Sequence, residues 1–305
     1  MTTPTSEPAP TTPTAPLTTQ YRAYQPSHSS SHSSTPSPRP ASPPLDPSNL
    51  PNGEKSLSGI SLRAFILGTT LGLTTTLTLH LLVITQTPLW RLPFFLGSLS
   101  LFHFLEYYTT AAHNPRFATV SAFLLSSNGW AYNVAHGSAL LECLITYTVF
   151  PHTTPRTYYL PWPAAAPAAA STPRWAPAPL TTEINPAILL GLVLMIVGQT
   201  TRSVAMAQAG SNFNHTVQVS RRDDHRLVTT GIYRVLRHPS YFGFFWWGIG
   251  TQLVLGNVAC LVGYALVLWR FFRLRVRREE NYLCAFFGDQ YREYRKRSWV
   301  GIPFV

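Results

Sequence analysis

Two stretches in the C-terminal half concentrate side chains that can do chemistry. The first, GSNFNHTVQVSRRDDHRLVTTGIYRVLRHPSYFG, runs from Gly210 to Gly243. Within it, TTGIY reads as a turn pivoting on Gly231. Pro239 disfavours helix at His238 and can itself serve as the first residue of the next helix. His238, Ser240 and Tyr241 then stand at a helix mouth, where backbone N–H groups lack intrahelical partners. Such a place suits the carboxylate of a small ligand. An interfacial cap with aromatic anchors accounts for the same residues, and taken alone the stretch leaves both readings open.

The second stretch, WRFFRLRVRREENYLCAFFGDQYREYRKR, runs from Trp269 to Arg297 and reads as a helix leaving a membrane. Arg275 and Glu279 are four residues apart, on one helix face, where opposite charges can pair. Most of the arginines suit a basic juxtamembrane helix against anionic lipid. Glu279 and Glu280 fit that role less well. Beside so many cations an acid stays ionised near the bilayer, ready to accept hydrogen bonds from a ligand's hydroxyls or amine.

The elements that must position these groups follow from composition. Of 305 residues, 45% are hydrophobic and only 11% charged; soluble globular chains average about 25% charged. The formal charge of +11 suits nucleic acid or an anionic membrane surface. The basic residues flank apolar runs, as membrane topology requires, so nucleic acid is not the expected partner and membrane lipids are. The first apolar run spans Ala64–Thr85 without a formal charge, and about 20 such residues cross a bilayer. Further runs cover roughly 92–112, 131–150 and 184–201, the last continuing helically to about Ala209. The final two, 239–255 and 258–272, make a hairpin turning at Gly256–Asn257. The expected fold is an all-α integral membrane protein of about six transmembrane helices, with a cytosolic C-terminal region. Arginines crowd the loop after the fourth run and the segment after the sixth, which places both on the cytosolic side.

This gives four regions. Residues 1–58 are a Pro/Ser/Thr-rich tail, too polar to offset the entropy of ordering and lacking the charged start and apolar core of a signal peptide. Residues 59–150 carry helices 1–3, residues 151–183 a Pro/Ala-rich connector, and residues 184–305 helices 4–6 with the basic loop and C-terminal helix.

Several features are expected to be structural. His103, Glu106, His136 and Glu142 lie inside apolar runs, where ionisable groups face a polar interior; His103 and Glu106, three apart, can satisfy each other. Nothing resembles HExxH, so no metal is expected. Gly248 and Gly250 lie mid-helix without a preceding strand and suit helix packing rather than a nucleotide loop. Cys143, Cys260 and Cys284 lack CxxC spacing and read as small apolar residues.

Taken together, GSNFNH, HRLVTTGIYRVLRHPSYFGFFWWGIGTQ, RFFRLRVRREENYLCAFFGDQYREYRKR and GIPF resemble the isoprenylcysteine carboxyl methyltransferase family. FHFLEYYTTAAHNP and SAFLLSSNGWAY extend the resemblance, which covers roughly residue 60 onward. It implies an endoplasmic reticulum enzyme that transfers methyl from S-adenosylmethionine to the carboxylate of farnesyl- or geranylgeranyl-cysteine in processed CaaX proteins, its active site facing the cytosol. Carried over by motif, Gln218, His225, Arg226, Leu227, Val228 and Tyr233 would line the cofactor pocket, with His238, Pro239, Ser240, Tyr241 and Glu279. Arg275 would hold the substrate carboxylate and be the catalytic residue, Arg202 would assist it, and Asn214 and His215 lie nearby in sequence. Rival readings are a sterol-type reductase, which needs a site for a dinucleotide's phosphates, a phospholipid methyltransferase, which wants a carboxylate rather than Arg275 at the acceptor, and a non-catalytic scaffold, which leaves the clustered His, Tyr and Glu without a role.

Overall fold

The computed structural model describes residues 46–125, 127–149 and 185–305. The tail before residue 46 and the Pro/Ala connector lie outside the described residues. Helix α1 (Leu57–Leu79) starts earlier than its apolar run, because the Ser56 hydroxyl accepts from Gly59 N at 3.0 Å and caps it. It ends in a π-helical turn, His80–Ile84. Then follow α2 (Arg91–His113), α3 (Trp130–Thr148) and α4 (Pro186–Ala209). The hairpin arms are α5 (Pro239–Leu255) and α6 (Ala259–Phe287), and α7 (Asp289–Arg297) closes the series. The described residues are otherwise turns and short 3-10 segments, with one isolated parallel bridge between Leu236 and Trp299.

Two helical segments, Leu57–Ile84 and Pro186–Asn212, are long and apolar enough to cross a membrane. Large apolar side chains on their surfaces stay uncovered, among them Phe65, Leu73 and Ile196. Apolar exposure on this scale fits contact with lipid rather than water.

The site rests on the pairing of α4 with α5. A Cβ on Gly198 would stand 2.6 Å from Gly243 O, and one on Gly243 would stand 2.5 Å from Gly198 O. Gly250 meets Gly191 in the same way, 2.6 Å from its carbonyl. Backbone therefore touches backbone along this seam, which only glycine permits. The mid-helix glycines of α5 are packing residues. The hairpin turns at Gly256, in the left-handed region at φ 75°, and Asn257 Nδ2 donates to Ala139 O and Gln252 Oε1, each at 2.9 Å.

The ionisable groups inside the apolar runs build the scaffold. Glu142 accepts from the backbone N–H of Val258, Ala259 and Cys260 at 2.7–2.8 Å, capping α6 with a side chain from α3. The Tyr264 hydroxyl hydrogen-bonds His136 Nδ1 at 2.6 Å. His103 and Glu106 do not satisfy each other. His103 Nδ1 bonds the Phe123 carbonyl at 2.8 Å and its Nε2 meets the Tyr132 hydroxyl at 3.0 Å, while Glu106 turns to Arg202 of α4. A helix neighbour three positions away loses here to better-aimed partners on other elements.

The last residues fold back as a strap. Val300 and Ile302 are buried with Phe245, Phe272 and Val276, between α5 and α6. The Trp246 and Trp269 indoles donate to Gly301 O and Pro303 O at 3.0 and 2.9 Å.

Candidate active site

Pro239 occupies the first position of α5 and His238 is its N-cap, with non-helical φ −128° and ψ 57°. The turn before it pivots on Gly231 at φ +59°, opening a short 3-10 segment that brings Tyr233 underneath. The Tyr233 hydroxyl donates to Ala205 O at 3.2 Å, and the Tyr294 hydroxyl donates to Tyr233 O at 2.6 Å. These bonds fix a cleft in front of the α5 N-terminus.

His225, Arg226, Leu227 and Val228 form one wall, and Tyr233, His238, Pro239, Ser240, Tyr241 and Glu279 line the rest of the cleft. Gln218 is not in the lining; its Nε2 folds back onto Thr216 O at 3.3 Å. The cleft also takes Asn212, Phe213 and Asn214, with Arg237, Leu283, Phe287, Tyr291 and Tyr294. Leu283 and Phe287 follow Glu279 at steps of four, so helix periodicity alone points them to the same face. Tyr291 and Tyr294 had no such signal, since α7 reaches the cleft only through the turn at Gly288. Asn212 holds the wall in place: its Oδ1 accepts from Arg226 N at 2.8 Å.

Charge is organised around one hydroxyl. Tyr241 donates to Glu279 Oε2 at 2.5 Å and accepts from Arg275 Nε at 2.8 Å. Arg275 and Glu279 therefore communicate through Tyr241 instead of pairing directly along α6. The Tyr241 ring stacks on His238, centroids 5.4 Å apart and 4° from parallel. His238 Nδ1 lies 3.9 Å from Glu279 Oε2. Arg275 is not in the lining of the cleft; it reaches the cleft through Tyr241, and its Nη2 donates to the His215 carbonyl.

Arg202 stands beneath. It is buried, and both Nε and Nη2 donate to the Glu106 carboxylate. Its Nη1 donates to Ser240 Oγ and O at 2.9 and 3.1 Å. All three guanidinium nitrogens have partners, so Arg202 braces the cleft's Ser240 and does not face the cleft. The imidazole of His215 packs beside this pair, 3.7 Å from Glu106. Burial, reinforced by Arg202 and Arg275, pushes its pKa down to about 4 despite the pull of Glu106. His225 is lowered too, by burial and then by Arg222 and Arg221. Both rings are neutral at physiological pH.

With this geometry in place, likeness to known proteins becomes informative. The profile of the isoprenylcysteine carboxyl methyltransferase (ICMT) family matches residues 189–285. A protein-S-isoprenylcysteine O-methyltransferase of Saccharomyces cerevisiae is 41% identical over 249 residues, spanning 82% of this chain and 92% of the yeast protein. The chain belongs to the isoprenylcysteine carboxyl methyltransferase family. The Homo sapiens protein of the same name is 39% identical over 246 residues, covering 81% of this chain and 75% of its own length. A solved structure described as the eukaryotic intramembrane Ras methyltransferase ICMT superposes with a TM-score of 0.65 at 32% identity, across 81% of this chain and 77% of that one. As a member of this methyltransferase family the chain is an intramembrane helical enzyme. The matched segment runs from α4 through most of α6 and includes the cleft wall, the α5 mouth, Arg275 and Glu279.

Proposed function

We propose that this chain transfers a methyl group from S-adenosylmethionine to the C-terminal carboxylate of a prenylated cysteine in processed CaaX proteins, giving a methyl ester. The observation that carries the reading is the Tyr241 hydroxyl joined at once to Arg275 and Glu279 at the edge of the cleft. It couples a cation able to hold a carboxylate to an anion able to hold an amine or hydroxyls.

The cleft residues fit the methyl donor. Glu279, whose side chain is 28% exposed, can accept from an ammonium or a ribose. Leu227, Val228, Leu283 and Phe287 offer apolar contact for an adenine. At the α5 N-terminus Pro239 has no N–H and the Tyr241 and Phe242 N–H groups donate to His238 O at 3.0 Å, so the helix dipole, rather than a set of free N–H groups, is what favours a carboxylate there. When bound, S-adenosylmethionine supplies a sulfonium methyl: the carboxylate oxygen forms the new C–O bond as the C–S bond breaks, and no proton moves. The acceptor carboxylate is already ionised at neutral pH, so the protein needs no general base. Its work is alignment and exclusion of water. Arg275 positions the acceptor, and its planar fork suits two carboxylate oxygens. Tyr241 and Glu279 limit how far that fork can swing.

In this reading α1–α6 are six spans in the endoplasmic reticulum membrane. The basic loop, the C-terminal half of α6 and α7 face the cytosol, and the prenyl chain arrives from lipid. The test uses purified protein, labelled S-adenosylmethionine and N-acetyl-S-farnesylcysteine. Base-labile methyl ester is the expected product. No ester, with NADPH oxidation on a sterol or methylation of a phospholipid amine instead, would overturn the reading.

A further inference from the structure

Glu280, next to Glu279 on α6, is 7% exposed and turns away from the cleft surface, yet it is the most heavily tied acid in this region. Its Oε1 accepts from Arg237 Nε at 2.6 Å and lies 3.4 Å from His238 Nε2. Its Oε2 lies 3.5 Å from Arg295 Nη1 of α7. Arg237 in turn donates Nη1 to Ser298 O at 2.6 Å and its backbone N–H to Trp299 O at 2.8 Å. One carboxylate thus joins the lip of the cleft, the body of α6, α7 and the C-terminal strap.

The His238 ring is what this carboxylate reaches inside the cleft. His238 is 6% exposed and its Nε2 has no hydrogen-bond partner in the protein. It is gripped on one flat face by Tyr241. Stacking sets the plane of the ring but not its rotation within that plane; a charge at one edge sets the rotation. Glu280 on the Nε2 side and Glu279 on the Nδ1 side leave one orientation in which each nitrogen faces an acceptor. A group that only braced the fold would not need to touch the cleft's histidine. Arg237 and Arg295 alone would satisfy such a carboxylate.

We infer that Glu280 is a positioning residue for methyl-donor binding: it fixes the His238 ring in the cleft and links that ring, through Arg237, to the C-terminal strap. The inference rests on the methyl-donor reading of the cleft. It separates the two neighbouring acids by task. Glu279 touches the bound molecule, and Glu280 acts through His238.

The experiment is steady-state kinetics on the full-length enzyme in detergent or nanodiscs, with S-adenosylmethionine and N-acetyl-S-farnesylcysteine varied separately. Binding of S-adenosylmethionine to the wild type is measured first, by titration calorimetry. Glu280→Gln keeps the volume and removes the charge. The expected result is a rise of about tenfold in KM for S-adenosylmethionine, about 1.4 kcal/mol of donor binding, with KM for the prenylcysteine changed less than about twofold. Because Glu280 acts through His238, the same substitution in a His238→Asn background should add almost nothing. Arg237→Lys, which retains the charge but loses the fork that holds Glu280 and the strap together, should reproduce the split and decides the matter if Glu280→Gln does not fold. Unchanged KM for S-adenosylmethionine in the folded variants overturns the inference. So does a parallel rise in both KM values with a fall in thermal midpoint, or full additivity with His238→Asn. A wild-type protein that binds no S-adenosylmethionine overturns the donor reading and this inference with it.

Discussion

Removing the Tyr241 hydroxyl, and nothing else, tests the arrangement at the edge of the cleft most directly. Tyr241→Phe keeps the ring that stacks on His238 and touches Phe272. It deletes one oxygen that donates to Glu279 at 2.5 Å and accepts from Arg275 at 2.8 Å. Each is a hydrogen bond to a charged group, worth about 1.5–3 kcal/mol when both sides are desolvated. The two do not add in full. The Glu279 side chain is 28% exposed and recovers part of its bond from water. Arg275 keeps the His215 carbonyl. A net loss of about 2 kcal/mol in transition-state binding is left, a decrease of about thirtyfold in kcat/KM at 1.36 kcal/mol per decade. Under the proposed function Arg275 positions the acceptor and Glu279 the donor, so the defect should be shared between kcat and the KM for S-adenosylmethionine. The assay is base-labile methyl ester formation on N-acetyl-S-farnesylcysteine with both substrates varied. If Tyr241→Phe stays within about threefold of wild type, the hydroxyl is a passive bond and the proposed coupling of Arg275 to Glu279 fails.

Arg275→Lys retains the charge but loses the planar fork that reaches both Tyr241 and His215 O, so kcat should fall at least about tenfold while calorimetric affinity for S-adenosylmethionine holds; equal kcat would argue against acceptor positioning. Gly243→Ala puts a methyl 2.5 Å from Gly198 O, and forcing α4 from α5 should destabilise the fold by about 2 kcal/mol or more, read as a lower thermal midpoint in detergent. Stability should fall on acidification in two windows, each with the same sign. The half-buried His215 has its pKa depressed from 6.5 to about 4, so its contribution is complete above pH 6.5 and is lost as pH falls through 4. Glu280 is pushed up by burial but pulled down further by His238 and Arg237, to about 2 from 4.5, so its contribution is complete above 4.5 and fades toward pH 2. Thermal midpoints measured from pH 8 to 3 should show the upper window and the onset of the lower, and His215→Asn should shrink the upper window to the part that His225 contributes.

Much of the helical frame was legible because it obeys local rules. Long uncharged runs announce α1 and α4, Pro239 fixes the start of α5, and Gly256 fixes the turn into α6. The start of α1 was less legible because polar residues such as Ser58 and Ser61 dilute its first turns, and the cap at Ser56 decides the boundary instead. Most of the cleft wall was legible for a different reason: it comes from contiguous motif residues, 225–228 and 238–241, that a single loop and one helix mouth keep together.

What the sequence hides is which partner a charge selects. Arg275 and Glu279 stand one turn apart, and spacing correctly brings them near each other, yet a tyrosine 34 residues before Arg275 supplies the atom between them. Arg202 is the sharper case. The resemblance implies that it assists Arg275 at the substrate, whereas a cation buried in an apolar helix must above all find a counter-charge. Its partner Glu106 lies 96 residues away on α2, and no local pattern links the two. The pairing explains why both can be buried. Each removes the penalty of the other, and the remaining guanidinium nitrogen goes to Ser240 at the helix mouth. Breaking such a pair leaves an uncompensated charge, which costs about 3–5 kcal/mol, so the ion pair locks α2, α4 and the start of α5 into one relative placement. The mouth of α5 is thereby set from below by a saturated ion pair and from the side by Tyr241. Its chemistry can stay partly exposed at the water boundary because its geometry is fixed in the apolar interior.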